Sequence, residues 1–164
     1  MLPKDFTYKN ILIVGLKRSG SNAARLLARH GIDVTAIDSK PEKELHVKLK
    51  ELHSLGIKTY TQDNTLKHLD GKDLVILSPG VPLEHPISFE ASRRGIPVLG
   101  ELEVAYRFWG DRPVIAVTGT NGKSTTTALI GHILKTAGMN VQVAGNIGLP
   151  FSAVAESDAD VAVV

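Results

Sequence analysis

The sequence contains no cysteine among its 164 residues. Disulfide bonds, thiol nucleophiles and cysteine metal sites are therefore excluded. Aromatic residues make up only 5% of the chain, which disfavours the stacking platforms of proteins that bind single-stranded nucleic acid. The net charge is +2 and no block of lysine and arginine occurs, so the composition does not indicate a nucleic-acid partner.

Long apolar runs are also missing. No stretch reaches membrane-spanning length, and the first residues, Met1 to Asp5, lack the apolar core of a signal peptide. We therefore expect a cytoplasmic protein without a membrane partner. The 43% of hydrophobic residues suits one globular domain, or one domain and part of a second. Composition leaves the oligomeric state open.

The clearest motif is a glycine loop between a predicted strand and a predicted helix. Val114–Val117 is apolar and β-branched, which predicts a buried strand, and the pattern after Lys123 is helical. The loop between them reads Gly119-Thr120-Asn121-Gly122-Lys123-Ser124. Backbone N–H groups of such a loop cradle phosphates, the lysine adds a full charge, and the Ser124 hydroxyl can bind Mg²⁺. The alternative is an ordinary helix start with a solvated Lys123.

The helix after this loop is predicted to pack through one face. The residues of that face are Ala128, Leu129, Ile133 and Leu134.

A second glycine loop follows the apolar run Ile11–Val14. It reads Gly15-Leu16-Lys17-Arg18-Ser19-Gly20, and a predicted helix and strand then lead to Asp38. This is the layout of a dinucleotide-binding βαβ unit, but Lys17 replaces the glycine that normally lets the backbone approach a pyrophosphate. An NAD-dependent oxidoreductase is thus an alternative that Lys17 disfavours. The other interpretation of Asp38 is that it simply ends a strand.

Five predicted strands before residue 100 alternate with helices, which predicts a parallel, Rossmann-like α/β sheet. They lie at 11–14, 32–37, 57–61, 74–77 and 96–99, and Pro97 favours an edge position for the last. A helix over 101–109 leads to the strand of the first motif, and further strands are expected at 141–144 and 160–164. We therefore predict a Rossmann-like domain (1–99) followed by the incomplete start of a P-loop ATPase α/β domain (100–164).

Three segments together resemble the Mur ligases, the ATP-dependent amino-acid ligases of peptidoglycan synthesis. The loop from Thr118 to Thr125 resembles their ATP loop, which folylpolyglutamate synthases share. Two further segments narrow the resemblance to the family member that adds D-glutamate. They are Ser78-Pro79-Gly80-Val81-Pro82, with His85-Pro86 after it, and Gly145-Asn146-Ile147-Gly148-Leu149-Pro150. The resemblance runs from about residue 11 to the last residue.

The resemblance implies a ligase that joins D-glutamate to UDP-N-acetylmuramoyl-L-alanine through an acyl phosphate, with ATP and Mg²⁺ as cofactors. It also implies roles for individual residues. The ATP-binding residues would be Gly119, Thr120, Asn121, Gly122, Lys123, Ser124 and Thr125, with Lys123 catalytic and Ser124 a ligand of Mg²⁺. The uridine substrate would be bound by Arg18, Ser19, Asp38, Ser39, Lys40, Ser78, Gly80 and Asn146.

In the resembled family, an acidic metal ligand follows the strand at 160–164, and a C-terminal domain binds the amino acid. This sequence contains neither, so the resemblance implies a fragment that is inactive by itself. The alternatives are another Mur-type or folylpolyglutamate-type amino-acid ligase, and a non-catalytic nucleotide-binding module.

Overall fold

The computed structural model describes residues 2–63 and 65–164, and for residues 46–48 it describes the backbone alone. Strands and helices alternate along the chain. The first half contains β1 (Asn10–Val14), α1 (Arg18–Arg29), β2 (Asp33–Asp38), α2 (Glu42–Ser54), β3 (Lys58–Thr61), a short 3-10 helix (Leu66–Leu69), β4 (Leu74–Leu77), α3 (Pro86–Arg93) and β5 (Val98–Gly100). The second half contains α4 (Glu101–Trp109), β6 (Val114–Ile115), α5 (Lys123–Thr136), β7 (Val141–Val143), α6 (Phe151–Val154) and β8 (Val161–Val163).

The first five strands form one parallel sheet in the order β3-β2-β1-β4-β5. Its central strand alternates between two cores, because successive side chains of a strand point to opposite faces. Ile11 and Ile13 lie in the core under α1 and α2, whereas Leu12 and Val14 lie in the core that includes Ile87 of α3. The predicted Rossmann-like α/β sheet is confirmed, with helices on both faces.

The last three strands form a second parallel sheet in the order β6-β8-β7. A cluster of buried side chains joins it to the first half of the chain: Leu26 of α1 and Trp109 of α4 pack with Phe151 of α6. The Trp109 and Phe151 ring centroids are 5.5 Å apart. The two sheets therefore share a packed layer made of α1, α4 and α6.

Arg112 holds the turn between α4 and β6 against the chain that follows α6. Its guanidinium lies 3.7 Å from the centroid of the Trp109 ring. It donates to the backbone carbonyls of Trp109, Ala155, Ser157 and Ala159. One side chain thus satisfies four carbonyl groups that β-strand or helix hydrogen bonds do not use.

Two predicted features of the second half are wrong in detail. The glycine-loop strand is two residues long rather than four, and Ile115 is 36% exposed, because β6 has a neighbour on one side only. The predicted packing face of α5 is wrong in part: Leu134 packs against the core of the second sheet, but Leu129 and Ile133 are each 56% exposed. Thr127 and Gly131 are buried instead, and a Cβ on Gly131 would lie 2.3 Å from Val143 Cγ2.

The predicted strand at 96–99 begins two residues later, at Val98, and its predicted edge position is confirmed. No helix in the part of the chain that the structure describes is both long enough and apolar enough to cross a bilayer.

Candidate functional site

The loops that follow β1, β2 and β4 surround one cavity. These three strands are neighbours in the sheet, and Val14 lies opposite both Ile37 and Leu77. Their carboxyl ends therefore meet at one edge, where open parallel sheets bind ligands. The cavity, of about 190 Å³, is called the first cavity here. It is lined by Val14, Gly15, Lys17, Asp38, Ser39, Lys40, Ser78, Gly80, Val81, Pro82 and His85.

Asp38 ties two of these loops together. It is 6% exposed, and its two carboxylate oxygens accept from the backbone N–H groups of Leu16, at 2.6 Å, and Lys40, at 2.8 Å. The Lys40 ammonium donates to the Glu44 carboxylate, and this hydrogen bond raises the pKa of Lys40. The buried carboxylate therefore fixes the loop after β1 against the end of β2.

Ser78 ties the third loop to the first. Its buried hydroxyl donates to the carbonyl of Gly15 at 2.7 Å. Gly20 packs against both groups, since a Cβ there would lie 1.9 Å from the Gly15 oxygen and 2.3 Å from Ser78 Oγ. In addition, the Ser21 hydroxyl donates to the carbonyl of Leu16 at 2.7 Å. Side chains thus hold the Gly15–Gly20 loop in one shape.

A second cavity, of about 260 Å³, lies between the loops of the two sheets. From the first sheet it takes Lys17, Arg18, Ser19, Ser78, Pro79 and Gly80, and from the second it takes Gly145, Asn146, Gly148 and Pro150. Arg18 crosses between the two groups: its Nη2 donates to the carbonyl of Gly148 at 2.7 Å. This cavity shares Lys17, Ser78 and Gly80 with the first.

The loop before α5 is more open. Gly122, the residue before the helix, has φ +77°, a left-handed conformation that favours glycine. The Lys123 ammonium donates to the carbonyl of Gly119 in its own loop. Among the residues that the structure describes, no side chain caps the start of this helix, so the first N–H groups of α5 are available to an anion.

A third cavity, of about 50 Å³, lies beside this loop. It is lined by Val117, Lys123, Ser124, Thr127, Ala144, Asn146, Ile147 and Val164. Asn146 also lines the second cavity. The loop after β7 therefore stands between the cavity at the Gly15–Gly20 loop and the cavity at the Gly119–Ser124 loop.

The residues predicted from the sequence fall on these three cavities as follows. Asp38, Ser39 and Lys40 line the first; Arg18, Ser19 and Asn146 line the second; Ser78 and Gly80 line both. Lys123 and Ser124 line the third, while Gly119, Thr120, Asn121, Gly122 and Thr125 form the adjoining loop and the first turn of α5. The structure brings the predicted residues together, and their roles in binding stay predictions.

Sequence reasoning missed several lining residues, namely Lys17, Val81, Pro82, His85 and Thr127. The signal for four of them was their position just after β1 or β4, since strand ends of a parallel sheet converge at one edge. His85 also caps the start of α3, because its Nδ1 accepts from the N–H of Ile87 at 3.3 Å. Burial lowers the pKa of His85.

Comparison with known proteins identifies the family of this chain. Residues 9–100, more than half of the chain, match the family described as "Mur ligase MurD-like, N-terminal domain". Residues 117–164 match the Mur ligase middle domain. The chain belongs to the Mur ligase family.

Two curated relatives illustrate the similarity. The UDP-N-acetylmuramoylalanine–D-glutamate ligase of Caldicellulosiruptor saccharolyticus is 44% identical over 95% of this chain and 35% of the relative. The enzyme with the same name from Streptococcus pneumoniae is 42% identical over 95% of this chain and 34% of the relative. The chain therefore spans about a third of the length of these Mur ligases.

Solved Mur ligase structures share the fold. A pseudomurein peptide ligase type C from Methanothermus fervidus superposes with a TM-score of 0.55 at 28% identity, covering 95% of this chain and 32% of that one. The UDP-N-acetylmuramate-alanine ligase MurC of Thermotoga maritima gives 0.52 at 27% identity, covering 83% of this chain and 31% of that one.

Proposed function

We propose that this chain forms the uridine-substrate and ATP sites of a ligase that joins D-glutamate to UDP-N-acetylmuramoyl-L-alanine. The observation that carries the proposal is the row of three cavities. The first and second share Lys17, Ser78 and Gly80, and the second and third share Asn146. An elongated nucleotide-sugar in the first two would extend toward the third, beside the phosphate-binding loop. Curated relatives that match 95% of this chain are named UDP-N-acetylmuramoylalanine–D-glutamate ligase.

The uridine would occupy the first cavity, enclosed by Asp38, Ser39 and Lys40. Its diphosphate would lie where the first and second cavities join, near Arg18 and Ser19, because backbone N–H groups at the start of α1 and cationic side chains favour phosphate there. We accordingly assign residues 1–99 to a uridine-substrate domain and 100–164 to an incomplete central ATP-binding domain. Both substrates and ATP are metabolites of the cytoplasm, where we place the reaction.

The third cavity would hold the phosphates of ATP, which supplies the phosphoryl group that activates the substrate carboxylate. The Lys123 ammonium would leave the Gly119 carbonyl and neutralise charge on the phosphoryl group during transfer. The Ser124 hydroxyl lines this cavity and suits a ligand of Mg²⁺, which takes oxygen ligands and draws several of them from phosphates and water.

The binding test is a titration of the 164-residue chain with UDP, UDP-N-acetylmuramoyl-L-alanine and NAD. Binding is measured by calorimetry or by NMR chemical shifts. We expect both uridine ligands to bind and NAD not to bind, since Lys17 obstructs the backbone approach that a dinucleotide needs. Binding of NAD without any response to the uridine ligands would contradict the proposal and favour an oxidoreductase.

Two variants locate the uridine. Asp38→Ala should weaken both uridine ligands, but it also removes the anchor of two loops. Ser39→Ala, at an exposed position of the first cavity, removes only a hydroxyl and should weaken binding without changing the melting temperature. Asp111→Ala, in the exposed turn after α4, is the matched control and should leave binding unchanged.

We also propose that catalysis needs more chain than these residues provide. The chain spans only about a third of the length of the ligases that it resembles. The 164-residue chain should therefore release no phosphate that depends on both D-glutamate and UDP-N-acetylmuramoyl-L-alanine. Release that requires both substrates would contradict this statement.

A further inference from the structure

We propose that a polar cavity between the two halves of the chain binds a phosphate group. The cavity has a volume of about 470 Å³ and is called the fourth cavity here. It lies where α1 and α2 meet β7 and α6, and it shares no lining residue with the three cavities described above. The inference does not depend on the proposed function. The side chains that carry it are those of Arg25, Arg29, Glu51, Gln142, Ser152 and Ser157.

Buried polar atoms without partners are concentrated at this cavity. In the part of the chain that the structure describes, four buried side-chain nitrogen or oxygen atoms have no hydrogen-bond partner, and three of them belong to residues that line the fourth cavity. They are Arg25 Nε and the hydroxyl oxygens of Ser152 and Ser157. Ser152 as a whole is 4% exposed. A buried polar group without a partner is destabilising and often marks the place of a ligand. All three groups can donate, so the ligand should be an acceptor.

The charges around the cavity also leave a cation for the ligand. Arg29 is exposed, and within the described residues it forms no ion pair with aspartate or glutamate. The carboxylates of the lining already have partners in the chain: Glu51 pairs with Arg25 at 2.5 Å, and Glu156 with the His30 ring at 2.7 Å. Arg25 and Arg29 lie one turn apart on the same face of α1. The capacity that remains is therefore cationic and donating, which suits an anion.

The spread of the donors favours phosphate over carboxylate. Arg25 and Arg29 come from α1, Gln142 from β7, and Ser152 and Ser157 from α6 and the segment after it. A carboxylate accepts through two oxygens in one plane, whereas a phosphate group accepts through at least three oxygens that point in different directions. Arginine also matches the geometry of phosphate oxygens. Cavities of about 300 to about 1000 Å³ hold small organic ligands, so free phosphate and a phosphate monoester both suit the site.

A ligand in the fourth cavity would connect the two halves of the chain. Arg25 belongs to α1 and Ser152 to α6, and their neighbours Leu26 and Phe151 already pack together in the shared layer. A phosphate group that accepts from both helices would add polar contacts beside this apolar one. Because it binds the folded chain, it should raise the melting temperature.

The experiment follows backbone amide NMR shifts of the 164-residue chain during titration with inorganic phosphate, glycerol 3-phosphate and succinate. The amides of Ser152, Ala153 and Ser157 should shift and saturate with both phosphate ligands. The tighter of the two identifies the source of the phosphate group. Succinate, which offers only carboxylates, should bind more weakly than either.

Two variants and a matched control locate the ligand. Arg29→Gln should weaken phosphate at these amides about tenfold, since a hydrogen bond to a charged group is lost, and should reduce the rise in melting temperature. Ser152→Ala should weaken it about fivefold. Without ligand, Ser152→Ala should melt at the wild-type temperature or higher, because the variant removes a buried hydroxyl that has no partner. Lys135→Gln, which removes an exposed charge from the last turn of α5, should change neither binding nor melting.

Three results would overturn the inference. Phosphate shifts confined to the Gly15–Gly20 and Gly119–Ser124 loops would reject the fourth cavity and leave the proposed function standing. Shifts at Ser152 and Ser157 that neither variant weakens would show that the anion binds elsewhere. Tighter binding of succinate than of both phosphate ligands would reject phosphate as the ligand class. Failure of UDP to bind, in contrast, would contradict the proposed function alone.

Discussion

The molecule contains two glycine loops with the same strand-loop-helix plan, and the chain holds them in different ways. Asp38, Ser78 and Ser21 all bond to the backbone of the Gly15–Gly20 loop. The Gly119–Gly122 loop is exposed, and Lys123 is the side chain that bonds to its backbone carbonyls in the described residues. The first loop is thus held by side chains from three different parts of the chain, whereas the second is held by the lysine that begins its own helix.

The helices that follow the two loops differ in how much of their apolar surface is buried. α1 buries Ala23, Ala24 and Leu27 completely, whereas α5 exposes Leu129 and Ile133. Regions with fewer buried apolar contacts open at lower free energy than the global unfolding of the protein. By this criterion the helix after the Gly119–Gly122 loop should open more easily than the helix after the Gly15–Gly20 loop.

The largest expected effect comes from breaking the fixed loop with Gly20→Ala. The new methyl group would collide with the Gly15 carbonyl and Ser78 Oγ, so we expect the free energy of unfolding to fall by about 3 kcal/mol. Urea denaturation measures it. Gly122→Ala in the other loop is the control: nothing lies within 4 Å of its Cβ, and the left-handed backbone should cost about 1 kcal/mol. Equal losses would contradict the contrast between the loops.

A somewhat smaller loss is expected from Arg112→Lys in the second half. An ammonium cannot reproduce the fork that donates to carbonyls of Trp109, Ala155 and Ala159, so unfolding should become easier by about 2 kcal/mol. Arg29→Lys, at an exposed position of α1, should stay within about 0.5 kcal/mol of wild type. If Arg112→Lys changes the free energy of unfolding as little as Arg29→Lys does, the Arg112 side chain does not stabilise the second half.

His85, which lines the first cavity, should make the stability of the protein depend modestly on pH. Burial lowers the pKa of His85, so the folded state favours the neutral ring, whose Nδ1 accepts from Ile87. This contribution to stability is present above the ordinary histidine pKa and is lost as pH falls through the lowered one. The melting temperature should therefore fall as the pH is lowered from about 7 to about 5. The variant His85→Asn should reduce this dependence on pH, because asparagine caps helices at any pH. An unchanged profile in this variant would contradict the assignment.

The smallest effect on stability is expected for Lys123→Ala in the open loop. Its stability should stay within about 0.5 kcal/mol of wild type, as for other exposed residues. In a ligase of full family length that carries this sequence, turnover should nevertheless fall about 100-fold or more, because the role we propose for the ammonium is to neutralise charge in the transition state. Steady-state kinetics and denaturation of the same sample test both statements, and wild-type turnover would remove Lys123 from the mechanism.

Strands and loop positions could be predicted from the sequence because apolar runs such as Leu74–Leu77 end at glycine or proline signals. The packing face of α5 could not, since its buried residues are Thr127 and Gly131, and the apolar Leu129 and Ile133 lie outside it. The decision comes from Gly131, whose missing side chain lets the helix approach Val143. The hydrophobic periodicity of the helix does not predict this tertiary contact.

The site was predictable in the same uneven way. The sequence predicts which residues lie at the strand ends. It does not predict that the Asp38 carboxylate accepts two backbone hydrogen bonds, because every sequence has such backbone N–H groups. Likewise Lys17 was recognised as a departure from the dinucleotide motif, while the direction of its side chain depends on the backbone before α1.

The Asp38 carboxylate also restricts which amino acid can occupy that position. Two backbone N–H groups converge on it from different loops, one on each oxygen. Asparagine would turn one of those oxygens into an NH₂ group that faces another donor, and glutamate would push the acceptors one methylene farther out. Position 38 should therefore tolerate neither asparagine nor glutamate in functional variants of this chain. This should hold even where the bound ligand does not contact the carboxylate.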